Sequence, residues 1–578
     1  MIMPTYLTHY LKYLLQFKCS LITAILLGLT NGGVLVLSTL YIGKGIDTMV
    51  KKHQVNFTEL LFILGLLIIM TLISSLSQLF IQRIGNKVAY LSTAELRKES
   101  FNHVSKLPIR YFDQHSHGDI MSRFSNDLDL VSEAALTIFN SVFSGITVIL
   151  ISFIAMLFLS PVLTVVVLIS TCLMGFANWI IAKNSQNAFV EQQKTVGAIT
   201  GFVSERVPQQ KLIKLFHYEN QTQIEFDVFN KRLQQVGQHA QFASSLTNPL
   251  SRFIDHLGYL SIGFIGGLLI LRGSHIVTVG IISSFILYSN QFSKPLIDLS
   301  GMMTQIQSAL AGLKRINQLL NEPLEENTGK KQLASSQGKI DFKHVFFSYQ
   351  KERPLISDFN LSVHSGQSVA IVGKTGAGKS TLVNLLLRFY DIDSGDILLD
   401  NQSIYQFPKD DLRKQFGMVL QETWLFNGTI RDNLILGNPQ ASEDLIIKSC
   451  QEASIYHFIM SLPKGFDTII GSGNLSLSEG QQQLLTIART MISKPNILIL
   501  DEATSSIDSL TDELIQKALS KLMNGRTSFI IAHRLATIAN SDLIIVMDQG
   551  HIVETGTHQD LLKNLDGYYY QIYHAQFE

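Results

Sequence analysis

Uncharged apolar runs dominate the first half of the chain. Leu21–Ile42 and Leu60–Ile81 contain no charged residue, and each has the roughly 20 apolar positions that a helix needs to cross a bilayer. Ala135–Leu159 fits as well and ends at Ser160-Pro161. Val162–Ile181 follows almost at once, which predicts a tight helical hairpin. A fifth span, Leu257–Leu271, is too short alone and crosses only by extending back past Asp255 and Arg252. A sixth is expected from Ile276 to Phe292, after the turn LRGSH, with Pro295 predicted to bend it. Between the spans, Gln82–Glu133 and Ala182–Phe242 are polar but keep a helical pattern. They read as membrane helices that continue beyond the bilayer and turn back.

Each of these long stretches holds seven Lys and Arg residues. Lys44, Lys51 and Lys52 oppose the trend, but the balance puts both long stretches in the cytoplasm. An even number of spans then puts the C-terminal half there too. Asn321–Lys339 (NEPLEENTGKKQLASSQGK) is polar and reads as a linker. Beyond it, apolar strand-like runs (SVAIVG, ILIL, TSFIIA, LIIVMD) alternate with helical ones, the signature of an α/β layer with a mainly parallel sheet. The expected organisation is an all-α transmembrane domain of six helices (1–320), a linker (321–339) and an α/β phosphate-loop nucleotide-binding domain (340–578).

Composition agrees. Of 578 residues, 46% are apolar and 16% charged, against about 25% charged in soluble domains. Lys+Arg and Asp+Glu are equal at 46 each, which argues against a nucleic-acid binder. Cys19, Cys172 and Cys450 form no metal-ligand spacing and favour a reducing compartment for the soluble part. The first apolar run is longer than a signal-peptide core and is not expected to be cleaved.

Candidate chemistry lies in the second half. Gly373, Lys374, Thr375, Gly376, Ala377, Gly378, Lys379, Ser380 and Thr381 spell GKTGAGKST after the strand SVAIV. This is a loop whose backbone N–H groups cradle phosphates at a helix N-terminus. Lys379 would meet the β- and γ-phosphates, and the Ser380 hydroxyl would ligate Mg²⁺. NILILDEATSS ends an apolar strand in two carboxylates. Asp501 is the expected Mg²⁺ partner, directly or through water, and Glu502 the group that orients or deprotonates the attacking water. Adjacent buried acids are costly unless a cation lies beside them. His533 ends a third strand, where it would reach the γ-phosphate; a structural role is the plainer reading of a lone histidine.

In this order the segments resemble the ATPase domain of ABC transporters, and the whole chain resembles a bacterial ABC exporter half-transporter. The diagnostic element is LSEGQ, Leu477–Gln481, similar to the family signature LSGGQ. The resemblance implies that Tyr349 stacks on adenine. It implies that Gln421 contacts Mg²⁺ and water, linking them to the membrane part, and that Ser505, Ser506, Ile507 and Asp508 cross between two sites. It also implies a pair of subunits sandwiching ATP, with Ser478, Glu479, Gly480 and Gln481 facing the partner's nucleotide. Docking helices are expected at the loop tips, within Gly118–Asp127 and Leu215–Asn220, where Phe216 and Tyr218 would plug a groove or simply pack.

The chain departs from the family pattern at three points. Glu479 replaces the usual glycine, Gln482 a usual basic residue, and Ser472 a common glutamate. A heterodimer is therefore possible; a homodimer is favoured because every necessary part is present. The expected cofactors are ATP and Mg²⁺. The expected setting is the cell membrane, and the expected cargo an amphipathic drug, lipid or peptide. Arg252, Asp255 and His256 either line a cavity or pair with one another, and Asn31, Asn178 and Asn290 either line it or hydrogen-bond between helices. The competing reading is an ATP-gated channel or regulatory membrane protein. An importer is disfavoured by the fusion of spans to ATPase, and a leader-cleaving peptide exporter by the lack of a peptidase-like extension.

Overall fold

The computed structural model describes residues 5–50, 55–272, 277–420, 423–471, 473, 475–502, 508–532 and 535–577; side chains at 5, 140, 142, 143, 243, 299–301, 303, 304, 502, 532, 535, 536 and 575–577 are outside the description. The chain divides into two units, Met1–Ser105 with Ser116–Glu322, and Lys106–His115 with Pro323–Glu578.

The first unit is helical: α1 Thr5–Leu15, α2 Lys18–Val50, α3 Phe57–Val104, α4 Ile109–Gln114 (which clusters with the second unit), α5 His117–Ser122, α6 Leu128–Leu159, α7 Pro161–Arg206, α8 Gln210–Leu215, α9 Glu219–Ser245, α10 Thr247–Leu271 and α11 Val279–Leu320. Helix α3 has 48 residues and α7 has 46. At 1.5 Å per residue each is about 70 Å long, more than twice the hydrocarbon thickness. The polar stretches are thus continuations of membrane helices, as their patterning predicts. At the predicted hairpin, α6 ends at Leu159 and Pro161 opens α7. Extended Ser160 caps α7 by accepting from the Leu163 N–H (3.5 Å).

Five described helical stretches are long and apolar enough to cross a membrane: Lys18–Val50, Phe57–Val104, His117–Leu159, Pro161–Arg206 and Glu219–Leu271. The expected sixth corresponds to α11, which begins at Val279 and runs through Pro295 to Leu320. It is less apolar because polar groups face its neighbours. Ser284 Oγ donates to the Thr39 carbonyl (3.1 Å), Tyr288 Oη to that of Val36 (2.8 Å) and Gln291 Nε2 to Thr39 Oγ1 (2.8 Å). At the N-terminus of α11, Asp47 accepts from Thr278 Oγ1 (2.6 Å) and the Gly280 N–H (2.7 Å). A Cβ on Gly280 would collide with the Gly43 carbonyl oxygen and the Asp47 carboxylate, so α2 and α11 cross backbone to backbone there.

The first loop tip differs from expectation. The turn segment that clusters with the second unit is Lys106–His115, containing α4, rather than Gly118–Asp127. The latter is α5 followed by a π-helical turn, Arg123–Asp127. Arg315 of α11 pairs there with buried Asp127, its Nε donating at 2.7 Å.

The second unit holds strands β1 Ile340–Phe347, β2 Ile356–Val363, β3 Ser368–Gly373, β4 Ser394–Leu399, β5 Gln402–Ser403, β6 Phe416–Val419, β7 Gly428–Thr429, β8 Ile469–Ile470, β9 Ile497–Glu502, β10 Thr527–Ala532, β11 Leu543–Asp548 and β12 His551–Gly556. The main sheet has the order β12-β11-β3-β10-β9-β6, parallel except for β12. An antiparallel sheet, β2-β1-β4-β5, accompanies it. Near-continuous apolar runs such as Ile497–Leu500 are buried, as a sheet covered on both faces requires.

Residues after Glu322 are pinned rather than free. Glu325 accepts from Arg413 (2.9 and 2.6 Å) and Lys409 (3.3 Å), and Asn327 Oδ1 from the Lys409 N–H (2.7 Å). Burial pushes the Glu325 carboxyl up, but Arg413 and Lys409 outweigh it and hold it below its ordinary value.

Candidate functional site: a nucleotide cradle and a signature helix

The cradle follows from sheet register. Ile371 of β3 pairs with Ile531 of β10, which pairs with Asp501 of β9. The loop after Gly373 and the carboxylates ending β9 therefore leave the same edge of the sheet, where α/β folds bind ligands. Gly376 (φ 85°) and Gly378 (φ 99°) take left-handed conformations that side chains disfavour. A Cβ at Gly376 would meet nothing within 4 Å, so the loop rim is open.

Gly378 is the N-cap of the Lys379–Leu386 helix and offers no side-chain cap. The free N–H groups of that turn suit an anion. Lys379 Nζ donates to the carbonyls of Gly373 (2.6 Å) and Lys374 (3.0 Å), which places the ammonium across the loop. Burial pushes its pKa down, with Asp501 opposing. Ser380 is exposed at the same turn. A hydroxyl, a carboxylate and an open amide cradle are hard-oxygen chemistry that fits Mg²⁺ with a polyphosphate.

Tyr349 stands beside the cradle. Its hydroxyl donates to Thr381 Oγ1 (3.4 Å) and accepts from Asn384 Nδ2 (3.1 Å). Its ring meets that of Tyr390 edge to face at 4.8 Å, and Tyr390 Oη donates to Asp113 of α4 (2.5 Å). An unbroken set of contacts thus joins the expected adenine partner to the first loop tip.

The signature residues form a second helix N-terminus. Ser478 caps the Glu479–Ser493 helix: Ser478 Oγ accepts from the Gln481 N–H (3.3 Å), and Gln481 Oε1 from the Ser478 N–H (3.0 Å), a complete capping box. Ser478 and Glu479 are exposed and Gly480 is buried. Among the described residues, these signature hydrogen bonds stay local and none reaches the phosphate loop.

The structure therefore brings Gly373–Thr381, Asp501 and Tyr349 together and leaves Ser478–Gln481 apart from them. Glu502 ends β9, with its side chain outside the description. Gln421, Ser472, Ser505, Ser506, Ile507 and His533 lie outside the described residues. Asp508 caps the Ser509–Met523 helix, accepting from the Thr511 N–H (2.9 Å), a bond that lowers its carboxyl pKa.

The comparisons decide the family. Residues 21–296 match the model of the ABC transporter transmembrane region, and residues 356–505 that of the ABC transporter. An uncharacterized ABC transporter ATP-binding protein of Bacillus subtilis (strain 168) is 37% identical over 98% of this chain and 93% of its own length. The chain belongs to the ABC transporter family. It is an exporter-type half-transporter, one transmembrane region fused to one cytoplasmic ATP-hydrolysing domain, and it is a membrane protein that works as a dimer. The fatty acid ABC transporter ATP-binding/permease protein of Mycobacterium bovis (strain ATCC BAA-935 / AF2122/97) is 39% identical over 85% of this exporter and 78% of that protein. A solved structure of a bacterial Atm1-family ABC exporter with ATP bound aligns at a TM-score of 0.76, with 26% identity over 97% of this exporter and 98% of that chain.

Sequence reasoning missed Arg489 in this exporter's ATPase unit. Arg489 Nε donates to the Asn433 carbonyl (2.8 Å) and Nη1 to that of Trp424 (3.1 Å), and burial pushes its pKa down. The available signal was an arginine among the apolar positions of the helix LLTIART. In the membrane unit, Asn31 bonds Gln78, Ser144 and Ser74, and Asn178 accepts from Ser251, while Asn290 is exposed. Asn31 and Asn178 are interhelical hydrogen-bonders. No ion pair joins Arg252, Asp255 and His256 among the described residues, and Arg252 and His256 are exposed.

Proposed function

We propose that this exporter moves an amphipathic molecule (a drug, lipid or peptide) out of the cytosol or inner leaflet by alternating access, driven by ATP closing two copies of the chain face to face. The observation that carries this reading is the pairing of two N-termini suited to the same anion: an uncapped one at Gly378 and a self-capped one at Ser478. Neither alone neutralises a triphosphate, whereas one from each subunit does so away from water.

In the proposed reaction, water attacks the γ-phosphorus as the bond to the bridging β-oxygen breaks. Glu502 takes the proton of the attacking water, and Lys379 holds the β- and γ-oxygens. Gln421 and His533 orient water and γ-phosphate. Ser380 and Asp501, with Gln421, would hold Mg²⁺, which supplies charge neutralisation of the phosphates. Separation of the copies after hydrolysis then resets the membrane helices. The domain limits 1–320, 321–339 and 340–578 follow this division of labour. Phe216 and Tyr218 stay exposed at the second loop tip (69% and 41%), as docking side chains must be before docking.

A homodimer is proposed because one chain supplies every part. The test is purification of this chain alone in lipid, then ATPase stimulation and inverted-vesicle uptake across dyes, lipids and peptides. ATP-dependent accumulation of one class is expected. Hydrolysis without accumulation of any, alongside ATP-gated ion current, would overturn export.

A further inference from the structure

Gln482 stands next to the signature and uses both ends of its carboxamide. Nε2 donates to the Leu477 carbonyl (3.0 Å), and Oε1 accepts from Thr423 Oγ1 (3.2 Å). The orientation of the amide follows from the partners: a carbonyl can only accept, so the nitrogen faces Leu477 and the oxygen is left for the Thr423 hydroxyl. The next peptide is held just as firmly, because the Ser478 N–H donates to Gln481 Oε1 (3.0 Å). Two successive glutamines thus clamp the carbonyl and the N–H of one peptide, Leu477–Ser478, which sets where the Ser478 hydroxyl points.

Ser478 Oγ spends an acceptor site on the Gln481 N–H, which leaves its own proton to donate. Thr423, two residues beyond Gln421, lines with Gln482, Trp424, Leu425, Ile470 and Leu477 a cleft of about 400 Å³. Both linked side chains are half-buried there, where a hydrogen bond is stronger than in open water. A lysine or arginine at 482 has donors only and could not accept the Thr423 proton.

We infer that Gln482 is a positioning residue that ties the Ser478 end of the signature helix to the segment following Gln421, and that through this tie the two nucleotide sites of the dimer act cooperatively. The inference rests on the face-to-face dimer proposed above. In that dimer Gln421 serves the nucleotide on its own phosphate loop, and Ser478 serves the partner's. A link inside one chain therefore joins two different sites, and a shift of the loop at one site moves the hydroxyl offered to the other.

The test removes only the Thr423 end of the link. Full-length chain in lipid nanodiscs is assayed for ATPase activity against ATP concentration as wild type, Thr423→Val and Thr423→Ser. Two sites allow a Hill coefficient up to about 2. The expected result is a sigmoidal wild type, a fall to about 1 in Thr423→Val with the rate at saturating ATP within about twofold, and the wild-type coefficient in Thr423→Ser. A merely structural role would lower stability or rate without touching the coefficient. A hyperbolic wild type, or an unchanged coefficient in Thr423→Val, would overturn the inference. The dimer is read separately by ATP-dependent disulfide trapping between Lys374→Cys in one copy and Ser476→Cys in the other, in a background without native cysteines. No crosslink sinks the dimer and the link together. A crosslink with an unchanged coefficient sinks the link alone.

Discussion

The ATPase unit carries two helix N-termini with opposite finishing. The Lys379–Leu386 helix starts at a left-handed glycine with no side-chain cap and a lysine laid over the loop carbonyls. The Glu479–Ser493 helix closes itself with a serine–glutamine box and places an exposed carboxylate in its first turn. The first has spare donors and a positive charge, so it completes itself only by binding an anion. The second satisfies the N–H groups of Ser478 and Gln481 within its own chain and has the Ser478 hydroxyl proton to offer. The difference teaches which end is built to grip an anion, and in the proposed dimer the other end is the one that reports on it.

Breaking the gripping end should have the largest effect. Lys379→Ala removes its charge, and ATP hydrolysis should fall by roughly 10²–10³ or more, with nucleotide binding weakened as well; a binding assay beside the turnover assay checks both. Glu502→Gln should be comparably severe in rate, about 10²–10⁴, while ATP still binds and the two copies stay closed. Normal turnover in Glu502→Gln would remove Glu502 from the reaction.

Intermediate effects belong to the reporting end. Ser478→Ala loses a cap worth about 1 kcal/mol and, in the proposed dimer, a donor to the partner's phosphate. Turnover should therefore fall roughly tenfold, the cost of one modest hydrogen bond to a charged group, with a drop of only a few degrees in melting temperature. Glu479→Gly removes a negative charge from that end, and KM for ATP should fall by about two- to fivefold at low salt, less at high salt. A KM that rises would mean the carboxylate helps rather than hinders.

The smallest effect serves as a control remote from both ends. Glu325 has its pKa lowered by Arg413 and Lys409 against its own burial. Its contribution to stability is therefore full above the ordinary glutamate value of 4.5 and is lost as pH falls through the lower folded value. Glu325→Gln should flatten the acid limb of melting temperature against pH while leaving ATP turnover near neutral pH unchanged. An identical acid limb in both proteins would show that the cluster adds nothing.

What could be read from sequence follows the range of the interactions. Gly373–Ser380 and the Asp501 strand end are short, contiguous patterns whose chemistry dictates residue type, and sheet register then brings them to one edge. The long helices were legible because charge and hydropathy change along them without breaking the helical period. Pairings across tens or hundreds of residues were not: Tyr390 with Asp113, Arg413 with Glu325, Gln482 with Thr423. Nothing local distinguishes Tyr390 from any half-exposed tyrosine. The asparagines were ambiguous for a related reason. A membrane helix is apolar all round, so its sequence does not say which face meets another helix, and Asn31 shows its role only through Ser74, Gln78 and Ser144.

The segment Lys106–His115 groups with the ATPase although it lies among the membrane helices in the chain. Anyone cutting the gene before Pro323 to make a free-standing catalytic fragment would leave these ten residues behind and strip Tyr390 of its carboxylate. The same holds for chimaeras: a transplanted motor must bring its own short peg with it, or the new host must carry an aspartate at the place where Asp113 stands.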